Sequence, residues 1–119
     1  MNPTSSLTIS AFDEFGFIGL YGGLQTKDIF ARRGTIPNQN ILDSMGYTEL
    51  AANLFRITQT NEKLTRENTQ GDDETKQAHF LVGQTIRQAI KELGGTMPED
   101  LPVSRNNQQK HPFQTRSSV

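Results

Sequence analysis

Few side chains in this 119-residue sequence have the type and spacing that catalysis requires. The two histidines, His79 and His111, have no partner at metal-ligand spacing, and we expect His79 to be a partly buried structural residue. The acidic run at positions 72–74 lacks an EF-hand pattern and suits the start of a helix. The glycines at 19–23 lack the Gly-Lys-Ser/Thr ending of a phosphate-binding loop. Since the sequence also contains no cysteine, we predict no enzyme activity, no metal site and no cofactor.

Cationic residues offer a different chemistry, because they gather on one side of each of two predicted helices when 100° is allowed per residue. In the second of these helices Phe80 lies between the cations. An exposed aromatic ring among positive charges suits stacking on a nucleic-acid base or burial in a partner protein. The alternative is that Phe80 packs under the N-terminal aromatic residues and the charges only solubilise the helices. The predicted contact patch consists of Phe80, Lys76, Arg87, Lys91, Arg56, Lys63 and Arg66.

Two long amphipathic helices are predicted to position these residues. The later helix follows a cap at Asp72 or Asp73 and ends at Leu93, before Gly94 and Pro98. The earlier helix runs from Thr48 to Arg66. We expect the two to pair through their apolar stripes, which recur at spacings of three and four. The stripes comprise Leu50, Leu54, Ile57, Asn61 and Leu64 in the earlier helix, and Ala78, Leu81, Val82, Ile86, Ala89, Ile90 and Leu93 in the later one.

Shorter elements are predicted before the long helices. Glycines interrupt the aromatic and aliphatic residues between Phe12 and Leu24, which favours turns or very short helical pieces over one regular element. Thr26 is predicted to cap a helix that runs through Arg33 and ends at Gly34, and another short helix is predicted over Gln39 to Met45.

Composition limits the chain to one modest core, because 33% of its residues are hydrophobic. We predict an all-α fold in three parts: a flexible N-terminus at 1–10, a small helical domain at 11–102 and a flexible basic tail at 103–119. The sequence contains no transmembrane run and its first residues do not resemble a signal peptide, so we expect a cytoplasmic protein. The net charge of −1 confines any electrostatic function to a local patch. Association with a second copy would enlarge the thin margin of stability that a core of this size provides.

Several ordered segments between about Phe15 and Pro102 resemble the C-terminal portion of DNA damage-inducible protein D, a bacterial SOS-response family. This resemblance implies a role around DNA damage and single-stranded DNA, in which the family restrains RecA-type recombinase filaments. The resembling segments are Gly19 to Leu24, Ile41 to Asp43, Met45 and Gly46, Thr48 to Arg56, Thr58 to Thr60, Glu62 to Leu64, His79 and Phe80, Val82 and Gly83, and Glu92 to Glu99.

Two binding functions are compatible with these observations. The first is restraint of a RecA-type filament by a protein that contacts the recombinase or its single-stranded DNA. The second is inhibition, by a phage or mobile-element protein, of a host defence nuclease or another nucleoprotein complex. Both require a protein or nucleoprotein partner, and neither requires a membrane.

Overall fold

A computed structural model describes residues 11–34 and 40–103. This part of the chain contains no β-strand, which confirms the all-α class, although Met45 and Val103 form an isolated antiparallel bridge. None of its helices has the length and hydropathy needed to cross a membrane. The predictions for residues 1–10 and 104–119 lie outside the described residues. The elements are α1 (Ala11–Leu20), α2 (Thr26–Arg33), a 3₁₀ helix (Ile41–Ser44), α3 (Tyr47–Arg66), α4 (Asp72–Glu92) and a second 3₁₀ helix (Pro98–Asp100).

Most helix ends agree with their sequence signals. Gly34 closes α2 with a left-handed backbone (φ 66°), a conformation that glycine adopts without steric cost. At α4 the predicted cap is wrong, because Gly71 occupies the cap position with φ 87°. Asp72 and Asp73 lie in the first turn instead, where their negative charges interact favourably with the positive end of the helix dipole. The cap of α2 is Gln25, one residue before the predicted Thr26.

Residues 11–20 form one regular helix, α1, which corrects the prediction of turns or very short helical pieces there. The glycines of α1 allow a close approach to α4 instead of interrupting the helix. A β-carbon at Gly83 would lie 2.7 Å from the backbone nitrogen of Leu20 and would collide with the carbonyl oxygen of Gly16. A β-carbon at Gly19 would collide with the carbonyl oxygen of Phe80. The main partner of α4 is therefore α1, and the expected pairing of the two long helices is secondary.

The hydrophobic core lies where α1, α2, the first 3₁₀ helix and α3 meet. The rings of Phe17 and Tyr21 stack with centroids 3.9 Å apart. The short helix predicted over Gln39 to Met45 is the four-residue 3₁₀ helix within the described residues, and it contributes to this core. The buried members are Phe17, Leu20, Tyr21, Ile29, Phe30, Ile41, Leu42, Met45 and Ile57.

The face that α3 buries is largely polar, so the predicted stripe is only partly right for this helix. Ile57 is buried as predicted, but Asn61 is exposed and Leu50, Leu54 and Leu64 are only half-buried. The predicted stripe of α4 is also partly wrong, because Leu81 and Leu93 are 51% and 85% exposed. The fully buried polar residues of α3 are Glu49, Asn53, Arg56 and Thr60.

Candidate interaction surface

Arg56 is fully buried, so its assignment to an outward cationic patch is wrong. Its side of α3 faces α1, where Nη1 lies 3.8 Å from Oδ1 of Asp13. Its Nη2 donates a hydrogen bond of 3.2 Å to Oδ1 of Asn53. Burial lowers the pKa of Arg56 below its ordinary value, although the negative charge of Asp13 opposes the shift. Arg56 therefore belongs to the interior of the domain.

A second buried group joins α1, α2 and α3. The hydroxyl of Tyr21 donates to Oε2 of Glu49, and Nη2 of Arg33 donates to the same oxygen at 3.0 Å. Asn53 donates to the Tyr21 hydroxyl at 2.9 Å. Burial raises the pKa of Glu49, and burial together with the Glu49 charge raises the pKa of Tyr21. These groups bond one another across three helices, although Oε1 of Glu49 and Nη1 of Arg33 are buried and make no hydrogen bond within the described residues.

His79 is buried against α1, in agreement with its predicted structural role. Its Nδ1 lies 3.3 Å from Oδ1 of Asp13, and its ring stacks on Phe12 with centroids 6.2 Å apart. None of these buried polar residues lines the open grooves described below. Their arrangement supports helix packing.

Arg87 connects three elements of the fold. Its guanidinium makes two hydrogen bonds of 2.9 Å to the carboxylate of Glu99 and one of 3.0 Å to the carbonyl oxygen of Leu20. The hydrogen bonds that Arg87 donates to Glu99 raise the pKa of Arg87. Burial alone would raise the pKa of Glu99, but its bonds with Arg87 lower it below the ordinary value. Much of the cationic character of Arg87 is therefore used within the domain.

The other predicted cations of α3 and the start of α4 also have intramolecular partners. Lys63 bonds Glu67 at 2.8 Å, and Arg66 lies 3.0 Å from a carboxylate oxygen of Glu62. The Nζ of Lys76 lies 5.4 Å from the ring centroid of Phe15, within cation–π range. These contacts reduce the positive charge that the predicted patch presents to solvent.

Phe80 and Lys91 are exposed on α4, as the predicted outward face requires, and the structure adds that both line an open groove. Phe80 is 36% exposed. The groove between α1 and α4, about 930 Å³ in volume, is lined by Phe80, Arg87 and Lys91 among others, and we call it the α1–α4 groove. A second groove of about 570 Å³, the turn groove, lies at the α3–α4 connection and brings Lys63 to the other side of Phe80. Six of the seven predicted residues, all except Arg56, are therefore exposed or half-exposed, but they do not form one continuous cationic surface.

An exposed apolar surface lies between the two long helices. Phe55 of α3 and Leu81 of α4 are 55% and 51% exposed, and both line a groove of about 270 Å³ with Val82 and Ile86. We call this the α3–α4 groove. Its remaining lining residues are Gln59, Lys63, Arg66 and Thr85.

Sequence reasoning missed both of the exposed apolar residues in this groove. Leu81 was assigned to the buried stripe of its helix, and Phe55 was not assigned to any site. The available signal was that Phe55 lies outside the apolar stripe predicted for its helix, as an aromatic residue on a helix side that should be polar. Exposed aromatic and aliphatic residues that adjoin one another are typical of interaction surfaces.

Metal chemistry has no support among residues 11–34 and 40–103, where no group of three or more histidine, cysteine or acidic residues could hold an ion. The surface is suited to contact, through apolar side chains surrounded by internally paired charges.

Comparison with known sequences agrees with the earlier resemblance. The profile of the DinD C-terminal domain matches residues 4–110, which is most of the chain. The chain belongs to the DinD C-terminal domain family. Among individual proteins, DNA damage-inducible protein D of Escherichia coli (strain K12) is 57% identical to the chain over 92 residues. The match covers 77% of the chain but 34% of that relative, so the chain spans about a third of the relative's length. No solved structure matches the chain.

Proposed function

We propose that this DinD C-terminal domain acts in the cellular response to DNA damage, in the cytoplasm, by restraining RecA-type recombinase filaments on single-stranded DNA. It does so by binding and carries out no reaction of its own. The similarity to a DNA damage-inducible protein supports the process. The observation that carries the binding mode is the α3–α4 groove, where Phe55 and Leu81 are both more than half exposed.

Charge pairing favours a protein surface over the phosphate backbone as the direct contact. Binding to phosphates gains free energy when cations displace condensed counterions. Lys63, Arg66 and Arg87 already have carboxylate partners within the domain, at 2.8 to 3.0 Å. An apolar groove with compensated charges instead suits a pocket on a recombinase subunit, because apolar anchors dominate protein interfaces.

The proposed mechanism is occupation of a surface. Phe55 and Leu81 insert into a recombinase subunit at a place that a neighbouring subunit or the filament's DNA would otherwise use. A ligand that binds the free or terminal subunit in preference to the assembled one shortens filaments by mass action. No bond needs to be broken in the protein or the DNA.

The experiment measures filament lifetime and strand exchange with a RecA-type recombinase on single-stranded DNA, with and without the full chain. Addition of the chain should shorten the lifetime and slow strand exchange without nucleotide or DNA hydrolysis of its own. Phe55→Ser and Leu81→Ser should each weaken the effect by about tenfold or more, the loss expected at an interface anchor. Leu93→Ser is the matched control, since Leu93 is 85% exposed and lies outside the three grooves.

The outcomes separate the competing functions. Unchanged filaments at saturating concentration of folded protein would refute the proposal and leave inhibition of a defence nuclease or another nucleoprotein complex as the next hypothesis to test. If Phe80→Ala reduces the effect and Lys91→Ala flattens its salt dependence, the direct contact is single-stranded DNA beside the α1–α4 groove, and the protein contact proposed above is wrong. Circular dichroism of each variant checks that the helices are intact.

A further inference from the structure

The side of α4 that faces solvent carries a regular row of residues. The row lies opposite the face that buries His79 and Gly83 against α1. Its members follow one another at alternating intervals of three and four, the spacing of a helix that packs along a second helix. All of them are exposed. This row, which we call the outer seam, comprises Glu74, Gln77, Leu81, Gln84, Gln88 and Lys91.

The outer seam is complementary to itself in the reverse direction. An acidic residue, Glu74, begins it and a basic residue, Lys91, ends it, about 25 Å away at 1.5 Å per residue. Two glutamines, Gln77 and Gln88, lie at equal distances inside these ends, and the centre of the row falls between Leu81 and Gln84. A copy of the same helix laid antiparallel would therefore meet opposite charges at both ends, glutamine opposite glutamine next to them, and Leu81 opposite Gln84 at the centre.

We propose that α4 of one copy packs antiparallel against α4 of a second copy, about a two-fold axis between Leu81 and Gln84. The axis places Glu74 of each copy opposite Lys91 of the other, which creates two intermolecular ion pairs. A parallel arrangement would oppose like charges at both ends. Two-fold symmetry is also the commonest way in which one surface recognises itself.

The grooves beside the outer seam support the same direction of packing. The turn groove, next to the first half of α4, is lined by two carboxylates, Glu67 and Glu74, and one cation, Lys63. The α1–α4 groove, next to the second half, is lined by two cations, Arg87 and Lys91, and one carboxylate, Glu92. Antiparallel packing brings the acidic half of one copy to the basic half of the other.

Leu81 is the only aliphatic residue in the outer seam, so burial of apolar surface contributes little to the dimer. We therefore expect a weak, reversible dimer whose affinity depends on the two ion pairs. This inference stands on the charge order of α4 and does not depend on the proposed recombinase contact. Phe55 lies on α3, outside the seam, so Phe55→Ser should leave dimerisation unchanged even though it weakens the proposed function.

Sedimentation equilibrium of the full chain, up to about 1 mM at low salt, tests the proposal with charge reversals. The wild-type chain should show a reversible monomer–dimer equilibrium that weakens with salt. Glu74→Lys makes both ends of the seam positive, and Lys91→Glu makes both ends negative, so each variant alone should dimerise about tenfold more weakly or worse. An equal mixture of the two should recover association, because each copy then meets its complement at both ends. The chain that carries both reversals should dimerise as the wild type does.

Glu62→Lys provides the matched control, since it reverses an exposed glutamate on α3 outside the outer seam. It should leave the equilibrium unchanged. A wild-type chain that stays monomeric throughout the concentration range overturns the proposal. A mixture that associates no better than the separate variants also overturns it, because any dimer would then use another surface or a parallel arrangement.

Discussion

The inner face of α3 and the outer surface between α3 and α4 reverse the usual distribution of polar and apolar residues. Glu49, Asn53 and Arg56 are fully buried on the inner face, while Phe55 and Leu81 are more than half exposed outside. The difference teaches that burial here follows the available partners more closely than it follows hydropathy. Polar side chains enter the interior where other helices supply matching groups, and apolar ones stay outside where no such helix covers them in the described residues.

The partners of the inner face come from the N-terminal half of the chain. Asp13 and Tyr21 come from α1 and its end, and Arg33 comes from the last turn of α2. Buried ion pairs add little net stability compared with a well-packed apolar core, but removal of one partner leaves an uncompensated charge. We therefore expect substitutions on the inner face to have the larger effects on folding.

The largest expected effect is at Arg56. Arg56→Ala removes the cation that lies between Asp13 and Asn53, and should lower the free energy of unfolding by about 3 to 5 kcal/mol. Arg66→Ala, on the exposed side of the same helix, should lower it by less than about 0.5 kcal/mol. Urea unfolding followed by circular dichroism measures both. Similar losses of unfolding free energy for the two variants would mean that the buried position of Arg56 does not increase its contribution to stability.

A smaller loss is expected where α4 touches α1. Gly83→Ala places a methyl group 2.7 Å from the Leu20 backbone nitrogen, so the helices must separate. We expect a loss of about 1 to 3 kcal/mol from the overpacking, even though alanine favours a helix. Gln84→Ala, one residue away on the exposed side, is the control and should change stability by less than about 0.5 kcal/mol. A Gly83→Ala variant as stable as the wild type would contradict the close approach.

The outer surface should tolerate polar replacement. Phe55→Ser removes a ring that is 55% exposed, so its loss of unfolding free energy should stay below about 1 kcal/mol. Leu81→Ser should behave in the same way. Thermal and urea unfolding of these variants would show a loss of several kcal/mol if the α3–α4 groove were part of the core, and that result would remove it as an interaction surface.

The smallest and most specific effect is a pair of opposite pH dependences. The pKa of Glu49 is raised above its ordinary value of 4.5 by burial, so its contribution to stability is present at low pH and is lost as pH rises through the folded-state pKa. The pKa of Glu99 is lowered, because its bonds with Arg87 outweigh its burial, so its contribution is present above 4.5 and is lost as pH falls through the folded-state pKa.

Unfolding curves between about pH 2 and pH 8 separate the two carboxylates. The advantage of the wild type over Glu49→Gln should shrink as pH rises above 4.5, whereas its advantage over Glu99→Gln should shrink as pH falls below 4.5. Parallel pH profiles for the two variants would contradict a raised pKa at Glu49 together with a lowered pKa at Glu99.

The sequence alone determined the features that depend on neighbouring residues. The all-α class, the end of α2 at Gly34, the end of α3 at Arg66 and the stop after Leu93 were all predicted, because glycine conformations and helix capping are local properties. Membership of the DinD C-terminal domain family was likewise predicted from ordered segments of the sequence and confirmed by comparison.

Only the tertiary structure decided which face of each helix is buried and which cations remain at the surface. Arg56 and Arg66 lie in the same helix and have the same chemistry, yet one is enclosed beside Asp13 and the other is exposed beside Glu62. No local pattern distinguishes them, because Asp13 is 43 positions from Arg56 in the sequence. The glycines of α1 changed the outcome for α4 in the same way: they allow α1 to cover one side of α4 closely, and so leave Leu81 on the side that faces solvent.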